Sequence, residues 1–455
     1  MTSLPLSLRN NYTFLLLACL GLFLASCSPQ NTLRGVFKKQ TPYERYADGL
    51  KQAKLDQTAL GQQWLGAGQK ALQKPVAVTL PFRESGYFPA EKPIATAYQF
   101  SVKRGQKVSV KVQAQGQAEA QIFLDLYETD PDKPLDPKHV ANADSTARQF
   151  EYEIEEDLPH ILRVQPELLR SSQYTVIIET LPTLAFPVQG KDSRAVQSFW
   201  GMERDAGARR HEGIDIFAPR GTPAVASTEG VVTRVEVTRL GGKVVWLSDA
   251  KRRQNIYYAH LDTQLVEPGT RVSIGDTLGL VGNTGNAITT PPHLHYGVYR
   301  FGEGAVDPYP FVHQDRTQPA KVQVDTRQFG AWTRVSKTEV NLRAAPSTSA
   351  SAVAALSKHV PVQVLGGSGS WYRVMLPNGQ EGYLAAHLVE PLDKPVQSAK
   401  VKQTAPLLDA SSAQAAIKQT ISPDTSVRVL AKYHDYLLVK SPDGNTGWIS
   451  SGAIN

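Results

Sequence analysis

Between residues 76 and 183 apolar and polar positions alternate. Val108, Val110 and Val112 alternate with polar neighbours, as do Ile122, Leu124 and Leu126 and later Tyr174, Val176 and Ile178; Gly105 and the Pro/Asp run at 131–137 supply turns. One face of each such strand is buried, so the segment is expected to be a small antiparallel β-sandwich. Upstream the period is helical. Thr41-Pro42-Tyr43-Glu44 combines a capping box with Pro at the first helical position, and Tyr43, Tyr46, Leu50, Ala53, Leu60, Trp64 and Leu72 fall on one face of a helix that Pro75 stops. Pattern alone therefore predicts a mainly β, multidomain chain, with a helical segment over 27–75 and the sandwich over 76–183.

The C-terminal part contains a repeat. Trp371, Val374, Pro377, Gly379, Gly382 and Tyr383 recur as Tyr436, Val439, Pro442, Gly444, Gly447 and Trp448, and Val364-Leu365 recurs as Val429-Leu430. Two small β-barrels are expected over 331–391 and 401–455, after a Gln, Asp, Thr, Pro and Lys-rich stretch at 314–330 that reads as a linker. The first copy, with Val340-Asn341-Leu342-Arg343-Ala344-Ala345-Pro346-Ser347 and then Gly382-Tyr383, resembles the bacterial Src-homology-3-like domains of cell-wall enzymes; the second lacks the Asn-Leu-Arg opening. That resemblance implies wall binding, with a plain spacer as the other reading. The 76–183 segment is similar to the pre-peptidase sandwich domains of secreted proteases.

Charge adds little. The net +7 is spread among 42 acidic residues, which is no nucleic-acid footprint. Lys251-Arg252-Arg253, between two apolar runs, reads as a hairpin tip. The N-terminus says more. The apolar run from Tyr12 to Ala25 is too short to cross about 30 Å of hydrocarbon but suits an export signal over 1–26. It ends Leu24-Ala25-Ser26-Cys27, which resembles the lipobox of bacterial lipoproteins and implies a lipid anchor at Cys27. The only other cysteine, Cys19, lies inside the signal, so the mature chain would have no internal disulfide. A lipid-anchored place in the cell envelope, on a periplasmic or extracellular face, is the expectation.

The candidate chemistry lies in 184–313. His211-Glu212-Gly213-Ile214-Asp215 reads as a strand, so His211 and Asp215 share a face, with Gly213 leaving room for a metal near the backbone. His293-Leu294-His295-Tyr296 likewise puts two histidines on one face and Leu294 and Tyr296 on the other. His260 ends a third β-rich run, Tyr257-Tyr258-Ala259-His260.

These motifs, with Ala218-Pro219-Arg220-Gly221-Thr222-Pro223, Gly230-Val231-Val232 and Gly282-Asn283-Thr284-Gly285, resemble the lysostaphin-like (LytM-type) peptidoglycan metalloendopeptidases in order and approximate spacing. The connection Asn286-Ala287-Ile288-Thr289-Thr290-Pro291-Pro292 is slightly longer than usual. The resemblance implies an open antiparallel peptidase sheet, with His211, Asp215 and His295 as ligands of Zn²⁺ and His260 and His293 as catalytic histidines. Two imidazoles and a carboxylate suit zinc, and three protein ligands leave a position for water. His293 and His260 can then share the roles of general base and charge stabiliser, with His293 favoured as base. The implied activity is endopeptidase cleavage of peptidoglycan cross-links. The alternatives are a non-catalytic activator of other wall hydrolases, a class that typically lacks ligand positions, and a wall-binding scaffold.

Overall fold

The computed structural model describes residues 39–115, 120–144, 146–204 and 207–455. The apolar run at 12–25 and Cys27 lie outside the described residues. No helix among the described residues is long and apolar enough to cross a membrane.

The alternation at 76–183 forms two facing sheets. One runs in the order Val76–Ala77, Thr96–Ser101, Pro159–Pro166, Ile122–Glu128, Lys138–Asn142; the other contains Phe82–Phe88, Ser172–Pro182, Gln106–Gln115 and Gln149–Glu153. Val108, Val110, Val112, Leu124, Leu126, Tyr174, Val176 and Ile178 fill the space between them. Ile122–Leu126 is buried on both faces, because the helical segment covers its outer side. There Phe123 packs on Tyr43, Tyr46 and Trp64, and Asp125 pairs with Arg163 at 2.9 Å beneath the Tyr43 ring.

That segment is two helices, Pro42–Gln52 and Ala59–Gln73, rather than the single one expected. The capping box is present: Glu44 N–H donates to Thr41 Oγ1 at 3.1 Å, and Thr41 N–H donates to the Glu44 carboxylate at 2.8 Å. The chain then folds back through Lys54, at φ 56°, and Thr58 caps the second helix. Size explains the break. A straight helix over 42–73 would extend about 48 Å, whereas five paired strands span only about 19 Å from first to last.

The peptidase-like segment is an antiparallel sheet in the order Val196–Ser198, Ile214–Phe217, His293–Arg300, Gln254–Gln264, Gly242–Asp249, Gly230–Thr238, Arg271–Val272, with Thr277–Val281 closing on the far end of Gln254–Gln264. Lys251-Arg252-Arg253 is the turn of a hairpin in this sheet, and Arg252 reaches Glu153 of the sandwich at 2.7 Å. Phe311 packs against Gly105 at the same junction.

The repeat is visible strand by strand: Trp332–Val335 and Gln397–Lys400, Val340–Arg343 and Ala405–Leu408, and Pro361–Ser368 and Ser426–Tyr433 correspond in both bounds. Neither copy closes into a barrel, contrary to expectation. The second is an open six-stranded path, and the first continues into the sandwich, because Ser85 and Gly86 pair with Gly367 and Gly366. A Cβ on Gly366 would lie 2.5 Å from the Ser85 carbonyl oxygen, so this approach requires glycine. Part of the stretch read as a linker also packs: Val324 and Phe329 enter the core of the first copy.

Behind this joint Glu84 is fully buried. Its Oε1 accepts from Arg373 Nε at 2.9 Å and Tyr98 Oη at 2.8 Å, and its Oε2 accepts from Tyr383 Oη at 2.7 Å. The corresponding face of the second copy, Ala431, Leu438 and Trp448, is buried with Trp332 of the first and with Leu392 just after it. One repeated face is thus used twice, once through a polar network and once through apolar contact. Removing one member of a buried ion pair strands the other, so Glu84→Ala is expected to cost roughly 3–5 kcal/mol. Urea unfolding of the variant beside the parent measures this, and a loss under about 1 kcal/mol would show that the network is dispensable.

Candidate metal and catalytic centre

The site is set by the pairing of two short strands. In the antiparallel register of Ile214–Phe217 with His293–Arg300, Asp215 lies opposite His295 and Phe217 opposite His293. Ile214, Ile216, Leu294 and Tyr296 point into the core, so the intervening polar residues share the other face. Tyr258 and Tyr296 both bond Ser227 Oγ below the sheet, at 3.0 and 2.7 Å, which holds this floor rigid.

His211 arrives differently from the expectation. It precedes the strand, after the short pairing of Glu203–Arg204 with Arg209–Arg210. Its N–H donates to the Met202 carbonyl at 2.9 Å, and its Nδ1 donates to the Phe199 carbonyl at 2.9 Å. A carbonyl can only accept, so Nδ1 carries the proton and Nε2 is left as a lone pair. Gly213 admits the ring of His295: a Cβ there would lie 2.6 Å from it. Glu212 turns away, toward Tyr299 Oη at 3.5 Å.

Three atoms meet at the centre. His211 Nε2 is 3.1 Å from Asp215 Oδ1 and 3.0 Å from His295 Nδ1, and His295 Nδ1 is 3.0 Å from Asp215 Oδ1. A tetrahedral ion bonded at about 2.0–2.1 Å separates its ligand atoms by roughly 3.3 Å, so the triangle is close to what such an ion needs. The three residues form a group that could hold a metal ion. Burial acts to raise the Asp215 pKa, but the neighbouring His211 and His295 rings outweigh it and hold the carboxyl well below the usual carboxylate range. Burial lowers the His295 pKa against the pull of Asp215.

His293 and His260 flank this triangle. His293 stacks on Phe217, donates from Nδ1 to the Pro291 carbonyl at 2.9 Å, and brings Nε2 to 3.9 Å from Asp215 Oδ1. His260 lies inside the strand Gln254–Gln264, at an irregularity in its pairing with Gly242–Asp249, with φ 62°. That conformation is costly for a non-glycine residue. Its N–H donates to the Gly241 carbonyl at 2.7 Å and its Nδ1 to the Thr284 carbonyl at 2.8 Å, and these bonds hold it there. Burial, with the His295 and His293 charges, pushes its pKa down to about 4. The His260 and His293 ring centroids are 5.0 Å apart. All five histidine and aspartate positions singled out in 184–313 therefore converge. Cys27 lies outside the described residues.

Two residues were not foreseen. Arg204 Nη2 donates to Asp215 Oδ2 at 2.6 Å and to Ser198 Oγ at 2.5 Å, and Ser198 Oγ is 3.3 Å from His211 Nδ1. In the sequence Arg204 is one of several arginines before His211, with nothing to separate it from a solvated basic surface. The longer connection after Gly285 forms a short 3₁₀ turn, Gly285–Ala287, and Asn283 Nδ2 pins it through the Ile288 and Thr290 carbonyls.

Two family models match parts of the chain. Residues 209–308 match Peptidase family M23 and residues 338–390 match the bacterial SH3 domain, so the chain carries both domains. It is 37% identical over 139 residues to the L-Ala--D-Glu endopeptidase of Bacillus subtilis (strain 168), covering 28% of this chain and 42% of that one. It is 41% identical over 91 residues to the peptidoglycan DD-endopeptidase ShyC of Vibrio cholerae, covering 19% of this chain and 20% of that one. The chain thus spans less than half the length of these relatives. Among solved structures, the catalytic domain of the antimicrobial peptidase lysostaphin from Staphylococcus simulans aligns at 29% identity over 25% of this chain and 89% of that one, with a TM-score of 0.24.

Proposed function

We propose that this chain is a zinc-dependent endopeptidase that hydrolyses peptide cross-links of bacterial peptidoglycan, with His211, Asp215 and His295 holding the metal. The observation that carries the reading is the triangle of two imidazole nitrogens and one carboxylate oxygen at 3.0–3.1 Å, with two further histidines beside it. When bound, zinc supplies Lewis acidity toward the scissile carbonyl and lowers the pKa of water to about 7.

The remaining work falls to the protein. His293, with Nδ1–H tied to the Pro291 carbonyl, presents Nε2 as the base that takes the proton. His260 has the same tautomer and a depressed pKa, so near neutrality it accepts a hydrogen bond rather than acting as a resident cation. The proton that His293 takes from water ends on the leaving amine, and His260 stabilises negative charge only while it carries that proton. Peptidoglycan as substrate is supported by the two relatives named above and by the SH3 domain. Those relatives cut different bonds, so the proposal is for the class. An activator or scaffold without chemistry has no use for five converging groups. An envelope or extracellular location follows from the substrate, and a lipid at Cys27 is proposed from the motif that ends the apolar run.

Zinc content and cleavage rate, measured together, test the assignments. His211→Ala, Asp215→Ala and His295→Ala are expected to lose both. His293→Ala and His260→Ala are expected to keep zinc and slow cleavage by ~10² to 10⁴ fold. If His293→Ala loses zinc while His295→Ala keeps it, the two roles are exchanged; full activity in all five variants removes the site.

Membrane fractionation tests the anchor. Cys27→Ser is expected to leave the membrane fraction, since stable anchoring takes more than one acyl chain. A variant that partitions like the parent contradicts the lipid.

A further inference from the structure

We propose that Arg204 is a positioning residue for the metal centre, an inference that rests on the metal reading above. The two oxygens of Asp215 have separate partners. Oδ1 faces His211 Nε2 and His295 Nδ1, while Oδ2 accepts from Arg204 Nη2 at 2.6 Å. A carboxylate with one oxygen free can rotate or offer both oxygens to an ion. The guanidinium removes that choice and directs Oδ1 alone at the centre.

The same nitrogen donates to Ser198 Oγ, which lies opposite Asp215 in the neighbouring strand and touches His211 Nδ1 at 3.3 Å. One side chain therefore braces two of the three ligand residues. The backbone carries the same coupling: Arg204 pairs with Arg209, and His211 is hydrogen-bonded in both directions to Gly201 and Met202 just before it.

Charge alone would act the other way, because a guanidinium beside the carboxylate repels a dication. Orientation and charge thus predict opposite results when Arg204 is removed. The Arg204 side chain is 35% exposed, so truncation leaves no large cavity. The contact to Oδ2 is through a single nitrogen rather than a bidentate fork, and a lysine ammonium can replace it.

The experiment is zinc competition with a chromophoric chelator on the full chain, beside steady-state cleavage at saturating zinc. Arg204→Ala is expected to bind zinc roughly 10- to 100-fold more weakly, with kcat lowered and KM unchanged, and Arg204→Lys to recover most of the affinity. Zinc binding by Arg204→Ala as tight as the parent's, or tighter, would overturn the inference and leave the guanidinium as a mere counter-ion. A lysine variant no better than alanine, or a rise confined to KM, would also overturn it. If the parent itself takes up no zinc, the metal reading falls and this inference falls with it; a parent that binds while Arg204→Ala binds equally sinks the inference alone.

Discussion

The antiparallel register between Ile214–Phe217 and His293–Arg300 is the constraint on which the site depends. It sets Asp215 opposite His295 and keeps His293 on the same face. A slip of His293–Arg300 by one residue would send both histidines to the core side, away from Asp215, and bring Leu294 and Tyr296 into their place. The register is enforced from below, where Ile214, Ile216, Leu294 and Tyr296 are fully buried and Ser227 ties two tyrosines together. The polar face is therefore paid for by the apolar one. Three polar atoms within 3.1 Å of one another are tolerated because a well-packed sheet leaves them nowhere else to go.

The sandwich organises the rest of the chain. Glu153 receives Arg252 from the peptidase sheet, and Glu84 receives Arg373 and Tyr383 from the first repeat. The first repeat thus meets the sandwich through a buried side-chain network as well as through strand pairing. The second repeat uses the matching face, with Leu438 in place of Arg373 and Trp448 in place of Tyr383, to pack on the first. Divergence between the copies thus follows the surface each one meets, polar in one case and apolar in the other.

Much of this was legible in the sequence where a single period governs a segment. The alternation at Val108 to Val112 and at Tyr174 to Ile178 reports burial on one face, and the structure buries those residues. His293 and His295 were readable for the same reason, since two polar residues separated by one apolar residue on a strand share a face. His211 was readable as a partner of Asp215 but not as lying outside the strand, because its place is fixed by backbone bonds to Gly201 and Met202 rather than by alternation. The helix break at Lys54 has no local breaker such as proline; it answers to the width of the sheet beneath. The first copy continues into the sandwich because Gly366 and Gly367 pair with a strand about 280 residues earlier, and no local pattern encodes such a partner. Arg204 was hidden among other arginines, since its identity as a contact depends on where the preceding hairpin folds.

The central claim is that the converging His/Asp centre cuts peptide bonds of the wall. It is tested most directly by mass spectrometry of the fragments released from purified peptidoglycan by the full chain, with and without a chelator. The account predicts new peptide termini on intact glycan strands, lost on chelation and restored by zinc. Fragments cut in the glycan, peptide release that persists without metal, or no release by a zinc-loaded chain would contradict it.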